Sequence, residues 1–274
     1  MKNWSFGVMG NIDMLKRLFG AAAVKKEAEA YPIYNELDRT RLPRHTAIIM
    51  DGNGRWAQRQ GLLRTAGHKA GVDTLKRVLK TAIALDLEVL TVYAFSTENW
   101  KRPHTEVDFI MKLFSEYLDK EVREMNDDGV QIHFIGRIWE LSPLLQKKIH
   151  EAEDLMKDNT GVKFIVAVNY GGQDEMTRAV QNIANRVKDG EIDVDSINNE
   201  VIESSLDTAG LPPVDFMIRT SGDLRLSNFL LWQAAYAEFW FTDVNWPDFS
   251  PQHFMEALCD FTKRKRRFGG LKNE

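Results

Sequence analysis

The feature that most restricts the fold of this chain is an alternation. Short apolar or β-branched runs at 45–50, 88–95, 130–135, 162–168, 214–218 and 239–242 are separated by longer stretches of helical periodicity. The helical stretches fall at 71–86, 105–126, 143–157, 173–188 and 195–209. A strand that returns to its own sheet through a helix pairs in parallel, because the crossover carries the chain back to the starting end. Runs that are apolar at nearly every position belong to strands covered on both faces. The alternation therefore predicts an α/β fold: a single domain with a mainly parallel six-stranded sheet flanked by helices. No internal repeat or low-complexity tract interrupts it.

Residues 1–43 stand outside the pattern and are expected to form an N-terminal helical extension and connector, with the α/β domain occupying 44–274. From Ile12 to Ala23 the apolar residues recur at helical spacing. This stripe reads as a helix docked on the core or on a partner, rather than one lying on a membrane, since no rich basic face accompanies it. Tyr31 to Pro43 reads as a polar connector punctuated by Pro32 and Pro43. The run Leu18–Val24 follows Asp13, Lys16 and Arg17, which do not make the basic leader of a secretory signal. No apolar run approaches the roughly 20 residues that span a bilayer. The single cysteine, Cys259, excludes an intramolecular disulfide, points to a reducing compartment and reads as a small buried apolar residue. With a net charge of −4 the chain lacks the basic excess of a nucleic-acid binder, so any anionic ligand must be met by a local cluster.

An open parallel sheet binds its ligand beyond the carboxyl ends of its strands, and the unusual polar residues lie there. Asp51-Gly52-Asn53-Gly54-Arg55-Trp56 follows the first strand, and Ser96-Thr97-Glu98-Asn99-Trp100 the second. Asn169-Tyr170-Gly171-Gly172 follows the fourth, and Arg219-Thr220-Ser221-Gly222 closes the fifth. Gly52 and Gly54 leave backbone N–H groups approachable, and Gly67-His68-Lys69-Ala70-Gly71 reads as the opening of a helix; both suit an anion. Arg55, Arg64, His68 and Arg102 add cationic donors, while Arg219, Arg225 and Ser227 form a second group far along the chain. Two basic groups suggest two phosphorylated ligands, or one with separated phosphates. Neither glycine loop ends in Gly-Lys-Ser/Thr, which excludes a P-loop nucleotidase. A carboxylate beside phosphate oxygens calls for Mg²⁺, with Asp51 the natural ligand and Glu238 the second candidate. The histidines show no paired spacing for zinc. Val107, Ile110, Met111, Phe114, Leu118 and Val122 share one face of the 105–126 helix, a stripe that packs on the sheet whether or not it also shelters an apolar ligand. These residues imply a metal–diphosphate site and leave the reaction open.

His45–Ala57, Gly67–Gly71, Tyr93–Pro103, Asn169–Gly172 and Ile218–Phe229 together resemble the undecaprenyl diphosphate synthases of the cis-prenyltransferase family, in order and over about 45–270. The resemblance implies a Mg²⁺-dependent prenyltransferase that condenses farnesyl diphosphate with successive isopentenyl diphosphates. Its product would be a long Z-polyprenyl diphosphate of undecaprenyl type, the precursor of the lipid carrier for cell-wall glycan synthesis. It further implies that Asp51 positions the metal, that Gly52, Asn53, Gly54, Arg55, Arg64 and His68 cradle the allylic diphosphate, and that Asn99 assists proton removal. Trp56, Ser96, Thr97, Glu98, Trp100 and Arg102 would contact substrate. Arg219, Arg225, Leu226 and Ser227 would hold isopentenyl diphosphate, with Glu238 as second metal ligand. An Arg-x-Gly tail at Arg267 and Gly269 implies a homodimer. The expected location is the cytoplasm, with peripheral contact at the inner face of the membrane for product release. Two features depart from the family pattern: the long segment before His45, and Leu224 where relatives often carry a polar residue.

Two other readings compete. A Mg²⁺-dependent phosphohydrolase could use Asp51 as nucleophile, although Asn53 stands where such enzymes place a second Asp. A non-catalytic binding subunit would be expected to lose Asp51 and the Arg219–Gly222 motif, and both are intact. Trans-type prenyl synthases need DDxxD motifs, and Asp127-Asp128 stands alone before Gly129.

Overall fold

The computed structural model describes residues 25–267. Its sheet has six strands: β1 (His45–Ile49), β2 (Val89–Ser96), β3 (Gln131–Ile135), β4 (Lys163–Tyr170), β5 (Phe216–Arg219) and β6 (Glu238–Phe241). They lie in the order β3-β4-β2-β1-β5-β6, and every neighbouring pair is parallel. The helices between them are α1 (Asn53–Arg59), α2 (Arg64–Ala84), α3 (His104–Asp127), α4 (Pro143–Met156), α5 (Gly172–Lys188) and α6 (Asn199–Glu203), and α7 (Pro251–Lys263) closes the described chain. β1 pairs with β2 on one side and β5 on the other. The loop after β1 thus opens where the strand order turns back, which is where open α/β sheets bind ligands.

Alternate residues of the strands divide the core into two layers. Ile48, Leu90, Val92, Phe164 and Val166 pack beneath α2, α3, α4 and α7, while Ala47, Ile49, Val89, Ile165 and Ala167 face the opposite layer with Tyr170, Phe229 and Leu230. Local chemistry agrees with these boundaries. Ser142 caps α4 by accepting from the Leu145 N–H, with Pro143 in the first turn, and Ser250 does the same for α7 with His253 and Pro251.

Three details differ from the sequence reading. The 31–43 segment is not a polar connector: Tyr34 and Leu37 are buried in the main core, and Arg39 lies 4.1 Å over the Tyr34 ring. The stretch 195–209 does not form one helix but a short turn and the five-residue α6. Ser204 and Ser205 turn their hydroxyls onto the Val201 carbonyl, an alternative to helical pairing that serines readily take. Gly67 and Gly71 do not open a helix, because α2 already starts at Arg64. They let α1 and α2 touch: a Cβ on Gly67 would stand 2.0 Å from the Asn53 carbonyl oxygen, and one on Gly71 2.4 Å from Asn53 Oδ1. The helix expected at Ile12–Ala23 lies outside the described residues, as does Gly269.

Trp246 ties α2 to the end of β1. It is 1% exposed, its Nε1 donates to the Gly71 carbonyl at 2.8 Å, and its backbone N–H donates to the Asp51 carbonyl at 2.9 Å. Truncation to alanine should therefore cost about 3–5 kcal/mol, the usual loss for a buried aromatic. Urea unfolding of Trp246→Ala against the unsubstituted protein checks this, and a loss below about 1 kcal/mol would contradict the anchoring role.

Candidate active site

The site begins with one carboxylate on a rigid stem. The Asp51 backbone carbonyl accepts from the Trp246 N–H and from the Thr220 hydroxyl at 2.7 Å, which fixes the chain as it leaves β1. Gly52 follows at φ 99°, a left-handed conformation that suits glycine, and a Cβ there would lie 2.5 Å from Asn245 Oδ1. The Asp51 side chain accepts from the Gly52 N–H at 2.7 Å, from Arg219 at 2.9 Å and from Arg55 at 3.0 Å. Burial pushes its carboxyl up, but the Arg219 hydrogen bond, the Arg55 charge and the Gly52 N–H outweigh that and hold it below the usual carboxylate range.

Arg219 reaches Asp51 because β5 pairs with β1 so that Arg219 stands beside Ile49. Only 3% of it is exposed. It also donates to Ser227 Oγ at 2.8 Å and to the Arg225 carbonyl. Asp223, to which the sequence motifs assign no role, joins the cationic residues of this half: it accepts from Arg55 at 2.9 Å and from Arg225 at 3.0 Å. The loop beyond turns back through left-handed backbone at Ser227, Asn228 and Leu230. Asn228 pins it by donating to Glu98 at 2.9 Å while accepting from the Gly172 and Gln173 N–H groups.

A second group forms across the cleft around Glu106, in the first turn of α3. Glu106 accepts from Arg64 at 3.0 Å and from Arg102 at 3.1 Å, with His68 Nε2 at 3.2 Å. Burial raises its carboxyl, yet the Arg64 and His68 hydrogen bonds and the nearby guanidinium charges bring it below the ordinary value. Burial is also the main influence on His68, and it keeps the imidazole below its usual pKa despite Glu106. Sequence reasoning missed Glu106. The available signal was its four-residue spacing from Arg102 across a helix start.

These elements enclose a polar cleft of about 380 Å³. Of the sequence-predicted residues, Asp51, Gly52, Asn53, Gly54, Arg55, Arg64, His68, Ser96, Asn99, Arg102, Arg219, Arg225 and Ser227 line it. Asn99 is oriented by accepting the Ser96 N–H at 3.2 Å. Thr97, Glu98 and Trp100 are not part of the lining, and Trp100 Nε1 donates instead to Asn169 at 2.7 Å. Trp56 is engaged by Asp248 at 2.7 Å, and Leu226 packs against the second core layer. Glu238 is not brought to Asp51. It opens β6 level with Phe216, at the amino end of the sheet, and pairs with Arg264 at 3.0 Å. The register separates it from Asp51 by about five residues of strand rise, roughly 16 Å, so within one chain it cannot share a metal with Asp51. Leu224 is largely exposed on the loop and contributes nothing to the lining.

Beneath the polar cleft lies an apolar cavity of about 120 Å³ between the sheet, α2 and α3. Met50, Asn53, His68, Tyr93, Ala94 and Ile110 line both spaces, so the two are immediate neighbours. Among the described residues no three His, Cys, Asp or Glu side chains gather as a metal site. A cation here would have the Asp51 carboxylate and would need its other ligands from a bound molecule or water.

A parallel α/β sheet with a cationic cleft set against an apolar cavity suits a phosphorylated head joined to a hydrocarbon tail. Comparison with known proteins sharpens the class. The family model described as putative undecaprenyl diphosphate synthase matches residues 49–269. An isoprenyl transferase of Rhodopirellula baltica is 50% identical over 230 residues, 84% of this chain and 94% of that protein. A ditrans,polycis-undecaprenyl-diphosphate synthase ((2E,6E)-farnesyl-diphosphate specific) of Pasteurella multocida is 47% identical over 86% of this chain and 98% of that one. The crystal structure of lavandulyl diphosphate synthase from Lavandula x intermedia, in complex with dimethylallyl diphosphate, superposes with a TM-score of 0.82 at 37% identity, covering 84% of this chain and 100% of that one. This chain belongs to that prenyltransferase family, and it is an enzyme of the prenyl-transferring kind.

Glu106 generates a prediction with a definite sign. Its carboxyl is lowered in the folded protein, so its contribution is complete above the ordinary glutamate value of about 4.3 and is lost as pH falls through the lower folded value. Glu106→Gln should cost about 1–2 kcal/mol at pH 7, modest because Arg64 is well exposed. The difference from the unsubstituted protein should shrink below about pH 4. Urea titrations at several pH values measure both, and a pH-independent difference would contradict the account.

Proposed function

We propose that this protein condenses farnesyl diphosphate with successive isopentenyl diphosphates to give a long Z-polyprenyl diphosphate of undecaprenyl length, with Mg²⁺ as the metal. The observation that carries the reading is the apolar cavity set directly against the cationic cleft through six shared lining residues, with Asp51 between two cationic groups. The names of the relatives support the substrate class. A lipid carrier precursor for cell-wall glycan synthesis is the corresponding product.

Each cationic group has a role in this scheme. Arg64, His68 and Arg102, with the Gly52–Arg55 turn, take the allylic diphosphate above the apolar cavity that receives its tail. Arg219, Arg225 and Ser227 take the diphosphate of the isopentenyl unit. Magnesium fits a site with one carboxylate and diphosphate oxygens, since it commonly keeps waters and takes few protein ligands. When bound it would supply charge neutralisation for the leaving diphosphate. The guanidinium groups add preorganised positive charge where the C–O bond breaks. Holding the isopentenyl double bond against the allylic carbon turns C–C bond formation into a step within one complex. A proton must then leave the new chain. The Asn99 amide is a poor base, so it orients the diphosphate oxygen or water that accepts the proton. Asn99→Asp with full turnover would contradict that role.

We extend the proposal to a homodimer with peripheral membrane contact. β6 is an edge strand, and Phe239 and Phe241 stack on it half-buried with ring centroids 6.0 Å apart, a surface that a partner strand or helix would cover. No helix among the described residues is long and apolar enough to cross a membrane.

Incubation with labelled isopentenyl diphosphate, farnesyl diphosphate and Mg²⁺, followed by sizing of the products, tests the reading directly. Asp51→Ala should lower polyprenyl synthesis by at least about 10²–10³-fold without unfolding the protein. Retention of activity by a folded Asp51→Ala variant would refute the site. A second outcome follows from His68. Burial keeps it neutral, whereas a neighbouring diphosphate favours its charged form, so substrate binding near pH 7 should take up protons. Titration calorimetry in buffers of different ionisation heat would detect the uptake, and His68→Gln should abolish it.

A further inference from the structure

The Asn169–Gly172 turn has no part in the proposed reaction, since none of its residues lines the cleft. Its two glycines nevertheless share a partner. A Cβ on Gly171 would stand 2.8 Å from Asn228 Nδ2 and 2.8 Å from Thr97 Oγ1, and one on Gly172 3.2 Å from the Asn228 carbonyl oxygen. The turn is bare where Asn228 and Thr97 close on it, which is the use of glycine at a close approach. It is itself fixed to the sheet, because the Tyr93 hydroxyl on β2 donates to the Tyr170 carbonyl at 3.0 Å.

Asn228 meets this turn through backbone and side chain together. Its carbonyl accepts from the Gly172 N–H at 2.7 Å, and its Oδ1 from the Gln173 N–H at 2.8 Å. Its Nδ2 then donates to Glu98 at 2.9 Å. A main-chain donor on one side and a carboxylate on the other leave the amide a single orientation. The φ of 63° belongs to the left-handed region, which asparagine tolerates better than most other residues. Burial pushes the Glu98 carboxyl up, and the Asn228 hydrogen bond is the first of the influences that bring it below its ordinary value.

The bridge joins two loops of the cleft. Asn228 directly follows Ser227, which lines the cleft with Arg219 and Arg225. Glu98 directly precedes Asn99, which lines it with Ser96 from the loop after β2. We propose that Asn228 is a positioning residue for the second diphosphate: by clamping the 225–227 loop to Glu98 and to the Asn169–Gly172 turn, it sets the distance from the isopentenyl unit to Asn99. The inference rests on the proposed polyprenyl synthesis and its assignment of Arg219, Arg225 and Ser227. Arg64, Arg102 and His68 are held by Glu106 instead, so the allylic diphosphate binds independently of the bridge.

Asn228→Asp retains the acceptor for the Gln173 N–H but sets a carboxylate oxygen against Glu98. It should raise KM for isopentenyl diphosphate and lower kcat, with kcat/KM falling by about tenfold or more. The affinity for farnesyl diphosphate alone, measured by titration calorimetry, should stay within about twofold. Adding Glu98→Gln should recover most of the loss, because the new amide donates to the carboxylate at 228 and restores the bridge with its polarity reversed. Glu98→Ala, at an exposed position, removes the bridge from its other end and should reproduce the isopentenyl effect. Unchanged isopentenyl kinetics in Glu98→Ala would overturn the proposal, even if Asn228→Asp does not fold. So would a double variant that folds and remains as slow as Asn228→Asp, or a farnesyl diphosphate affinity that falls as far as the isopentenyl kinetics. An unsubstituted protein that makes no polyprenyl from these substrates with Mg²⁺ would overturn the proposed reaction and this role with it, an outcome separate from the others.

Discussion

The contact between Asp51 and Arg219 is the constraint around which the molecule is arranged. A guanidinium that is almost fully buried needs a counter-charge and fixed hydrogen-bond acceptors, or its desolvation would be very costly. β5 must therefore lie directly beside β1 and in register, so that Arg219 and Asp51 leave the same end of the sheet. The same requirement holds the 225–227 backbone close, since the Arg225 carbonyl and Ser227 hydroxyl take the remaining donors of one guanidinium nitrogen. Trp246 and Thr220 then fix the carbonyl of Asp51 itself. Charge, sheet order and loop conformation are in this way one condition.

Much of that arrangement is legible in the amino-acid sequence. The six strands and the helices α3, α4 and α5 fall within two residues of the alternation, because strands buried on both faces leave runs that helices cannot mimic at that length. The polar turns after β1, β2 and β5 are legible for a related reason: glycines and arginines at strand ends have few structural uses. What stays hidden depends on contacts between distant segments. Glu106 looks like any acidic residue at a helix start until Arg64 and His68 are folded against it. Glu238, a second metal-ligand candidate by its place just before the sixth strand and by resemblance, is set by the parallel register at the other end of the sheet from Asp51 of the same chain. Gly67 and Gly71 read as a phosphate turn, and only the closeness of Asn53 shows that they are packing residues.

The two core layers also carry different duties. The layer under α2, α3 and α4 contains the apolar cavity and so is less densely filled than its counterpart. The opposite layer is braced by polar contacts: Tyr170 donates to the buried Glu175 at 2.5 Å, and Gln233 links Glu175 to Thr208. Tyr93 joins the two, lining the cavity on one side and stacking on Phe229 at 4.3 Å on the other. A rigid half behind the sheet allows the other half to accommodate a guest without disturbing the strand ends.

The self-paired charges of the cleft have a consequence for how it handles anions. Asp51, Asp223 and Glu106 already occupy the guanidinium groups that an incoming diphosphate would seek. Entry is therefore a swap of counter-ions rather than a fall into an uncompensated field, and the resident carboxylates stand ready to reclaim their partners. A cleft built this way grips each ligand only by the margin between two anions, which lets a cyclic enzyme release spent diphosphate and begin again.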